Sequence, residues 1–318
     1  MPRTRIFFTT DVHGSERCFI KFLNAGQFYK ANCIILGGDI TFKTIVPLVK
    51  KKDGKVYLKF LGENFVLTSE NDLAVMEKRI RSIGFYPHQM SEEEFNEFAS
   101  DKRKQEELFE TLVVEMIKRW LSIAENKLKD KNVKCFISPG NDDSRIVDEY
   151  LKNSKYIIYP EEQVVRLDEH HEMITLGVSN ITPLHCIRDM EEKDIEEKID
   201  KLVSQVSDLK NCIFNIHVPP YGTPLDLAPK LDENLKPIAL PTGGVDMINV
   251  GSTSVRKAIE KYQPLLGLHG HIHESRGIFK IGRTLCVNPG SEYTEGILKG
   301  FLADITENGI RDYLITTG

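Results

Sequence analysis

Five short polar blocks carry the side chains best suited to chemistry: Asp11-Val12-His13, Gly38-Asp39, Gly140-Asn141-Asp142, His217, and Gly270-His271-Ile272-His273. Each follows an apolar, β-prone run, such as Ile6-Phe7-Phe8-Thr9 before the first and Cys33-Ile34-Ile35-Leu36 before the second. A side chain just past a buried strand is held rigidly yet opens onto a crevice, which is where open α/β sheets collect ligands. On an extended chain residues two apart point to the same side, so Asp11 with His13, and His271 with His273, are expected to face one site. The donor set is two carboxylates (Asp11, Asp39), the Asn141 amide oxygen and four imidazoles (His13, His217, His271, His273). That mixture suits first-row divalent metals such as Mn, Fe, Ni or Zn, with Mn preferred, and not calcium, which favours all-oxygen shells. Asp39 could bridge two cations, because the two oxygens of a carboxylate point apart.

The elements that must position these blocks alternate strand and helix. After the first block, Ser15 and Glu16 open a helical stretch carrying Phe19, Phe22 and Leu23. Strand-like runs recur at 134–138, 164–167, 173–178, 212–216, 265–268, 284–287 and 301–305, with helices expected at 144–152, 193–206 and 252–262. Residues 41–131 differ in character. A hairpin is expected from 55–61 and 65–67, turning through Gly62-Glu63-Asn64. A helix capped by Ser69 follows, broken by Gly84 and Pro87, and then Ser91 with Glu94 forms a capping-box pattern. A long amphipathic helix carries Leu112, Met116, Trp120 and Ala124. The expected organisation is one α/β domain, 1–40 with 132–318, interrupted by a largely helical insertion at 41–131. Its apolar stripe reads first as core packing, the alternative being a cap over the site or a dimer face.

Bulk properties narrow the classes. The 318 residues are 41% hydrophobic and 28% charged, which sets aside disordered and fibrous chains. A net charge of -5 argues against a dedicated nucleic-acid binder, which needs a basic face. No apolar run reaches the roughly 18–20 residues of a membrane span, and the N-terminus shows no secretory apolar segment. Six cysteines without a C-x-x-C pair read as buried, reduced thiols, so a cytoplasmic protein is expected.

The ordered set D-x-H, G-D, G-N-x, H, G-H-x-H, running from Asp11 to His273, resembles the calcineurin-like metallophosphoesterase superfamily. Asn288-Pro289-Gly290-Ser291 is similar to the N-P-G-S segment that follows the last His block in prokaryotic members. The resemblance implies a four-layer α/β/β/α sandwich of two mixed sheets with two metal ions at the strand ends. One ion would take Asp11, His13, Asp39 and His273, and the other Asp39, Asn141, His217 and His271. Two departures stand out. Gly38-Asp39-Ile40-Thr41-Phe42 lacks the second Asp of G-D-x-x-D, which argues against the serine/threonine phosphatase branch. Asp142 stands where members usually carry a His that helps protonate the leaving group. A carboxylate beside dications stays ionised, which makes Asp142 a poor acid; small prokaryotic phosphodiesterases of the superfamily share this loss of the His.

The expected function is therefore a dinuclear phosphoesterase, a phosphodiesterase above all. Metals about 3.5–4 Å apart would activate a bridging hydroxide for in-line attack on phosphorus. Without a dedicated acid, esters with phenolic or cyclic leaving groups are the favoured substrates, and the expected partner is a small phosphodiester or phosphate ester. Two other classes compete: a scaffold that keeps the metal site without turnover, like the retromer subunit resembling this superfamily, and a nuclease contacting nucleic acid through Lys50-Lys51-Lys52. A homo-oligomer is compatible with all three. His269 shares strand parity with His271 and His273 and is a candidate, with Asp142, to support the ligands. His88, His185 and the His170-His171 pair read as surface or loop residues, Tyr221 as a loop aromatic bordering the cleft, and Ser252 as a helix N-cap.

Overall fold

The computed structural model describes residues 3–241 and 243–318. The chain begins β1 (Thr4–Thr9), α1 (Glu16–Phe28), β2 (Cys33–Gly37), β3 (Ile45–Lys50), β4 (Val56–Phe60), β5 (Glu63–Leu67), α2 (Glu70–Ser82), β6 (Tyr86–Ser91), α3 (Glu92–Ser100) and α4 (Lys102–Leu128). It continues β7 (Lys134–Ser138), α5 (Ile146–Lys152), β8 (Val164–Arg166), β9 (Glu172–Leu176), β10 (Ser179–Asn180), β11 (Asp189–Met190), α6 (Glu192–Val203) and β12 (Cys212–Ile216). Last come β13 (Leu227–Pro229), β14 (Met247–Asn249), α7 (Thr253–Tyr262), β15 (Leu266–Leu268), β16 (Gly277–Ile281), β17 (Thr284–Asn288), β18 (Lys299–Thr306) and β19 (Gly309–Thr317).

Two mixed sheets, ordered β19-β18-β1-β2-β7 and β16-β17-β15-β12-β9-β8, form the centre of the molecule. The two-residue period of a strand sorts their side chains into layers. Ile6 and Phe8 of β1 join Ile35, Phe136, Ile213 and Leu266 between the sheets. Phe7, Ile34 and Leu36 point the other way, into a core with residues of α1, α4 and α5. There Phe19 stacks on Trp120, with ring centroids 4.0 Å apart. On the second sheet Phe214 and Ile216 face outward beneath Ile199 of α6 and Val255 and Ile259 of α7. Each fully buried Phe or Ile contributes roughly 1.5–3 kcal/mol, so the alternation itself drives the layering. The result is the expected four-layer α/β/β/α sandwich.

Within 41–131, the apolar stripe of α4 is buried against α1 and the first sheet, so this helix is part of the main core. The rest builds a separate sheet, β5-β4-β3-β6, with its own core of Val46, Leu48, Leu58, Phe60 and Ile80. Strands β3 and β6 are not expected from sequence, because Pro47 and Pro87 interrupt them. The sheet tolerates both: β6 is an edge strand, and β4 pairs with β3 only at Val49 and Lys50, past Pro47. The hairpin turn also differs from expectation. Leu61 (φ 50°) and Gly62 (φ 83°) form a two-residue turn, leaving Glu63 and Asn64 paired with Phe60 and Lys59 in the strands. Positive φ at both central residues matches the strand twist in a way the expected three-residue turn need not. Among the described residues no helix is long and apolar enough to cross a membrane.

Candidate metal centre

Parallel pairing brings the five polar blocks to one edge. Strands β1, β2 and β7 run parallel, with Thr9 beside Leu36 and Gly37 beside Ser138. In the other sheet β12 and β15 run parallel, with Asn215 beside Leu268. The next few residues of each strand carry the candidate ligands. The extended-chain geometry expected for them is not what is found: Asp11 (φ 53°), His13 (φ 39°), Asp39 (φ 47°) and His271 (φ 67°) are all left-handed. Such non-glycine positions cost about 1–3 kcal/mol each and persist where surrounding structure imposes them. Here the Asp11, His13 and Gly14 N–H groups donate to the carbonyls of Gly38, Asp39 and Ile40 at 3.0, 2.9 and 2.8 Å, lacing the first loop to the second.

The side chains gather into two groups, Asp11-His13-His273 and Asp39-His217-His271, each with its potential ligand atoms within 4.8 Å of one another. His13 and His217 donate Nδ1–H to the carbonyls of Thr41 and Gly37, both at 3.1 Å. A carbonyl can only accept, so in the neutral ring each Nε2 carries a lone pair. The lone pair of His217 lies 3.3 Å from Asp39 Oδ2, that of His13 3.7 Å from the same oxygen, and His13 Nε2 is 3.0 Å from His273 Nε2. His271 spends Nε2 on Ser179 Oγ at 3.2 Å, which leaves Nδ1 for the centre. The Asn141 amide donates from Nδ2 to Asp189 at 2.9 Å, turning Oδ1 inward.

Acceptor atoms thus meet acceptor atoms. His217 Nε2 and Asn141 Oδ1 are fully buried without a hydrogen-bond partner, and Asp11 and Asp39 are only 1% and 4% exposed. Among the described residues no Lys or Arg pairs with either carboxylate. Burial disfavours a charge on His217, yet Asp39 and Asp11 beside it outweigh burial and hold its imidazole up at about 10; a metal ion would displace that Nε2 proton and take over its role between the carboxylates. Burial, reinforced by the neighbouring His217, pushes His271 down to about 4. Buried carboxylates and orphaned lone pairs of this kind call for a cation. Two divalent ions fit the donor set, one at each group.

Supporting contacts fix the loops. Asn288 Nδ2 donates to the carbonyls of Gly270 and Ile272 at 3.2 and 2.9 Å, and Ser291 Oγ donates to Asp11 O at 2.6 Å. The N-P-G-S segment therefore holds the two outer His and Asp loops in place. Asp143 accepts from the loops after both β2 and β7, and Tyr293 lies with its ring 4.8 Å from that of His13. Sequence reasoning singled out neither; Asp143 was signalled only by its place beside Asn141-Asp142, and Tyr293 by nothing local.

Other candidates fall elsewhere. Asp142 lies at the rim, bonded to Lys43 and to Cys186 Sγ, with its N–H donating to Asp39 Oδ1 at 3.1 Å. His269 donates Nδ1–H to Ile216 O at 2.8 Å, and its Nε2 faces Gly267 in the core; burial pushes it down to about 4. His171, read from sequence as a surface or loop residue, is buried between the Asp168 carboxylate and Thr306 O. The N-terminus of α7 is occupied by Glu192, whose carboxylate accepts from Ser252 Oγ and from the Thr253 and Ser254 N–H groups. Lys51 pairs with Glu92 at 3.2 Å, and Tyr221 is an exposed loop residue.

No family model matches the chain. It is 36% identical over 153 residues to an uncharacterized protein of Methanocaldococcus jannaschii, a match that covers 48% of this chain and 61% of that protein's length. A solved structure aligns over 99% of both chains at 16% identity with TM-score 0.60. A Thermus thermophilus protein aligns over 100% of this chain and 99% of its own at 14% identity, TM-score 0.53. Both are likenesses of fold. A dimetal phosphatase of Danio rerio aligns over 99% and 98% of the two chains at 9% identity, TM-score 0.43.

Proposed function

We propose that this protein is a dinuclear metal-dependent phosphoesterase, most active on phosphodiesters, of the calcineurin-like branch that lacks the acid His of the G-N-H block. The observation that carries the reading is the convergence of two buried carboxylates, four imidazoles and an orphaned amide oxygen, with no Lys or Arg among the described residues paired to either carboxylate. Asp11, His13, Asp39 and His273 are assigned to one ion, and Asp39, Asn141, His217 and His271 to the other, with manganese the favoured metal. Such ions supply Lewis acidity, which activates water and neutralises charge on phosphoryl oxygens.

The chain's own residues do the rest. The Nδ1–H bonds of His13 and His217 keep both rings in the tautomer that offers Nε2. Asp189 fixes the direction of the Asn141 oxygen. Lys43 holds Asp142 as an ion pair, so Asp142 has no proton to give a departing alkoxide. Leaving groups that are stable as anions, phenolates above all, are therefore preferred. Residues 41–131 are assigned as an insertion into a domain of 1–40 and 132–318, with the separate sheet β5-β4-β3-β6 as its outlying part and α4 packed into that domain's core. The cysteines, all unpaired, support a reducing compartment such as the cytoplasm.

The test is metal content together with hydrolysis of bis-p-nitrophenyl phosphate and its monoester, after reloading apoprotein with Mn, Fe, Ni or Zn. Near two ions per chain and a diesterase rate above the monoesterase rate are expected, both lost in Asp39→Ala. Bound metal with no turnover under any loading would replace this reading with a scaffold.

A further inference from the structure

A cavity of about 740 Å³ opens beside the centre, with His271 and His273 in its inner wall. That size is in the range of small-molecule sites, roughly 300–1,000 Å³. The outer walls come from the loop joining β10 to β11, from β13 and β14, and from Lys230, Leu231, Leu235 and Pro237, which follow β13. We propose that this cavity receives an alkyl or acyl chain of the substrate, making the substrates long-chain phosphate esters. The ester half of that statement rests on the phosphoesterase reading; the chain half rests on the cavity alone.

The lining argues for a chain over a base or a sugar. Ile181, Leu184, Leu231, Leu235, Ile248 and Val250 supply aliphatic walls. No Phe, Tyr or Trp lines the cavity among the described residues, so there is no carbocyclic ring on which a nucleobase could stack. Most of its polar side chains outside the two imidazoles are engaged: Asn180 Nδ2 donates to Val250 O at 3.2 Å, Thr182 Oγ1 donates to Asp189 at 2.6 Å and Lys230 pairs with Asp246 at 3.9 Å, which leaves Glu274 at the inner end beside His273. A sugar would therefore meet few hydrogen-bond partners. Leu184, Leu235 and Ile248 remain 67%, 47% and 39% exposed, apolar surface left to water at the mouth of a polar site. Scattered exposed apolar residues need no explanation, but a contiguous cluster marks a binding surface. A flat cluster would suit a protein partner. This one is concave and shares its inner wall with the metal centre, so the occupant is placed as a substituent of whatever binds there.

The experiment measures binding of n-alkylphosphonates, methyl to decyl and below their aggregation concentrations, to metal-loaded protein by calorimetry. These probes are not hydrolysed, so the readout is independent of turnover. Affinity is expected to rise roughly three- to fourfold per methylene over the first several carbons. Leu231→Gln and Ile248→Gln should flatten that rise while leaving methylphosphonate affinity and the turnover of methyl p-nitrophenyl phosphate unchanged. Leu184→Gln, on an exposed side chain, gives a further variant with little risk to folding. Equal affinity for methyl- and decylphosphonate, or a slope untouched by all three substitutions, overturns the chain site. A steep slope in a protein with no esterase activity under any metal supports the chain site and overturns the phosphoesterase reading.

Discussion

Asp143 accepts the Thr41 hydroxyl at 2.6 Å and the Thr41 N–H at 2.8 Å through one carboxylate oxygen. Its other oxygen accepts from Ile40 and Gly140 at 3.0 and 2.8 Å. Burial and the nearby Asp39 charge push this carboxyl up to about 6, against the pull of its donors. The carboxylate thereby ties the loop of Asp39 to the loop of Asn141. The relay continues, because the Thr41 carbonyl receives the Nδ1–H of His13 at 3.1 Å. Three candidate ligands therefore depend on one buried side chain.

Replacing Asp143 by Ala leaves buried donors unsatisfied and should lower stability by about 3 kcal/mol. Metal affinity should fall with it, since the positions of Asp39, Asn141 and His13 share this anchor. Urea denaturation and metal titration check the two effects. Lower stability with unchanged metal affinity would show that Asp143 serves the fold alone.

Glu161 gives the pH prediction. Its carboxyl is buried and accepts the Gly177 N–H at 2.8 and 2.9 Å. Burial raises its folded value from 4.5 to about 8. A folded value above the unfolded one means that the neutral form stabilises the fold. That contribution is whole below about pH 4.5 and is lost as pH rises through about 8. Glu161→Gln keeps an acceptor for Gly177 and cannot ionise. Relative to wild type, the variant should gain on the order of a few kcal/mol between pH 5 and pH 9. Stability curves of both proteins across that window decide the matter; parallel curves would mean that Glu161 does not titrate there.

Asp142 gives a prediction about leaving groups. Its Oδ1 is shared by Lys43 and by Cys186 Sγ at 3.3 Å, so it has no proton to donate. Asp142→Ala should change kcat on p-nitrophenyl esters by less than about threefold, well under the 10²–10⁴ typical of a lost general acid. Asp142→His should raise turnover of alkyl leaving groups by roughly tenfold or more and leave p-nitrophenyl esters nearly unchanged. A large loss in Asp142→Ala on activated esters would instead make Asp142 a direct participant.

These residues mark how far the sequence could be read. The polar blocks were legible because each follows an apolar run that becomes a parallel strand, and the β7 and β12 bounds match the expected runs. The capping box at Ser91 and Glu94 was legible because its donors and acceptors lie three residues apart. What stayed hidden depends on distant partners. Nothing local reveals that Asp11, His13, Asp39 and His271 are left-handed, since other loops impose that geometry. Thr41 and Asp143 lie 102 residues apart, and only the fold puts them in contact. Pro47 and Pro87 masked two strands whose pairing leaves their missing N–H groups without consequence.

The turn after α2 bears directly on the centre. Gly84 has φ +100°, and a Cβ there would lie 2.0 Å from the His13 carbonyl oxygen. Ser15 Oγ, at the head of α1, also donates to Ser82 O at 2.6 Å. Residues from 41–131 thus press against the loop that carries His13. Gly62 supplies the control, with φ +83° and open space where its Cβ would go. Both Gly→Ala changes incur the left-handed penalty, about 1–2 kcal/mol. Only Gly84→Ala adds a backbone clash, which must move either the turn or the His13 loop. Gly84→Ala should therefore weaken binding of the ion held by Asp11, His13 and His273, while Gly62→Ala leaves both metal stoichiometry and affinity alone. If the two variants bind metal equally, the turn after α2 does not buttress the centre.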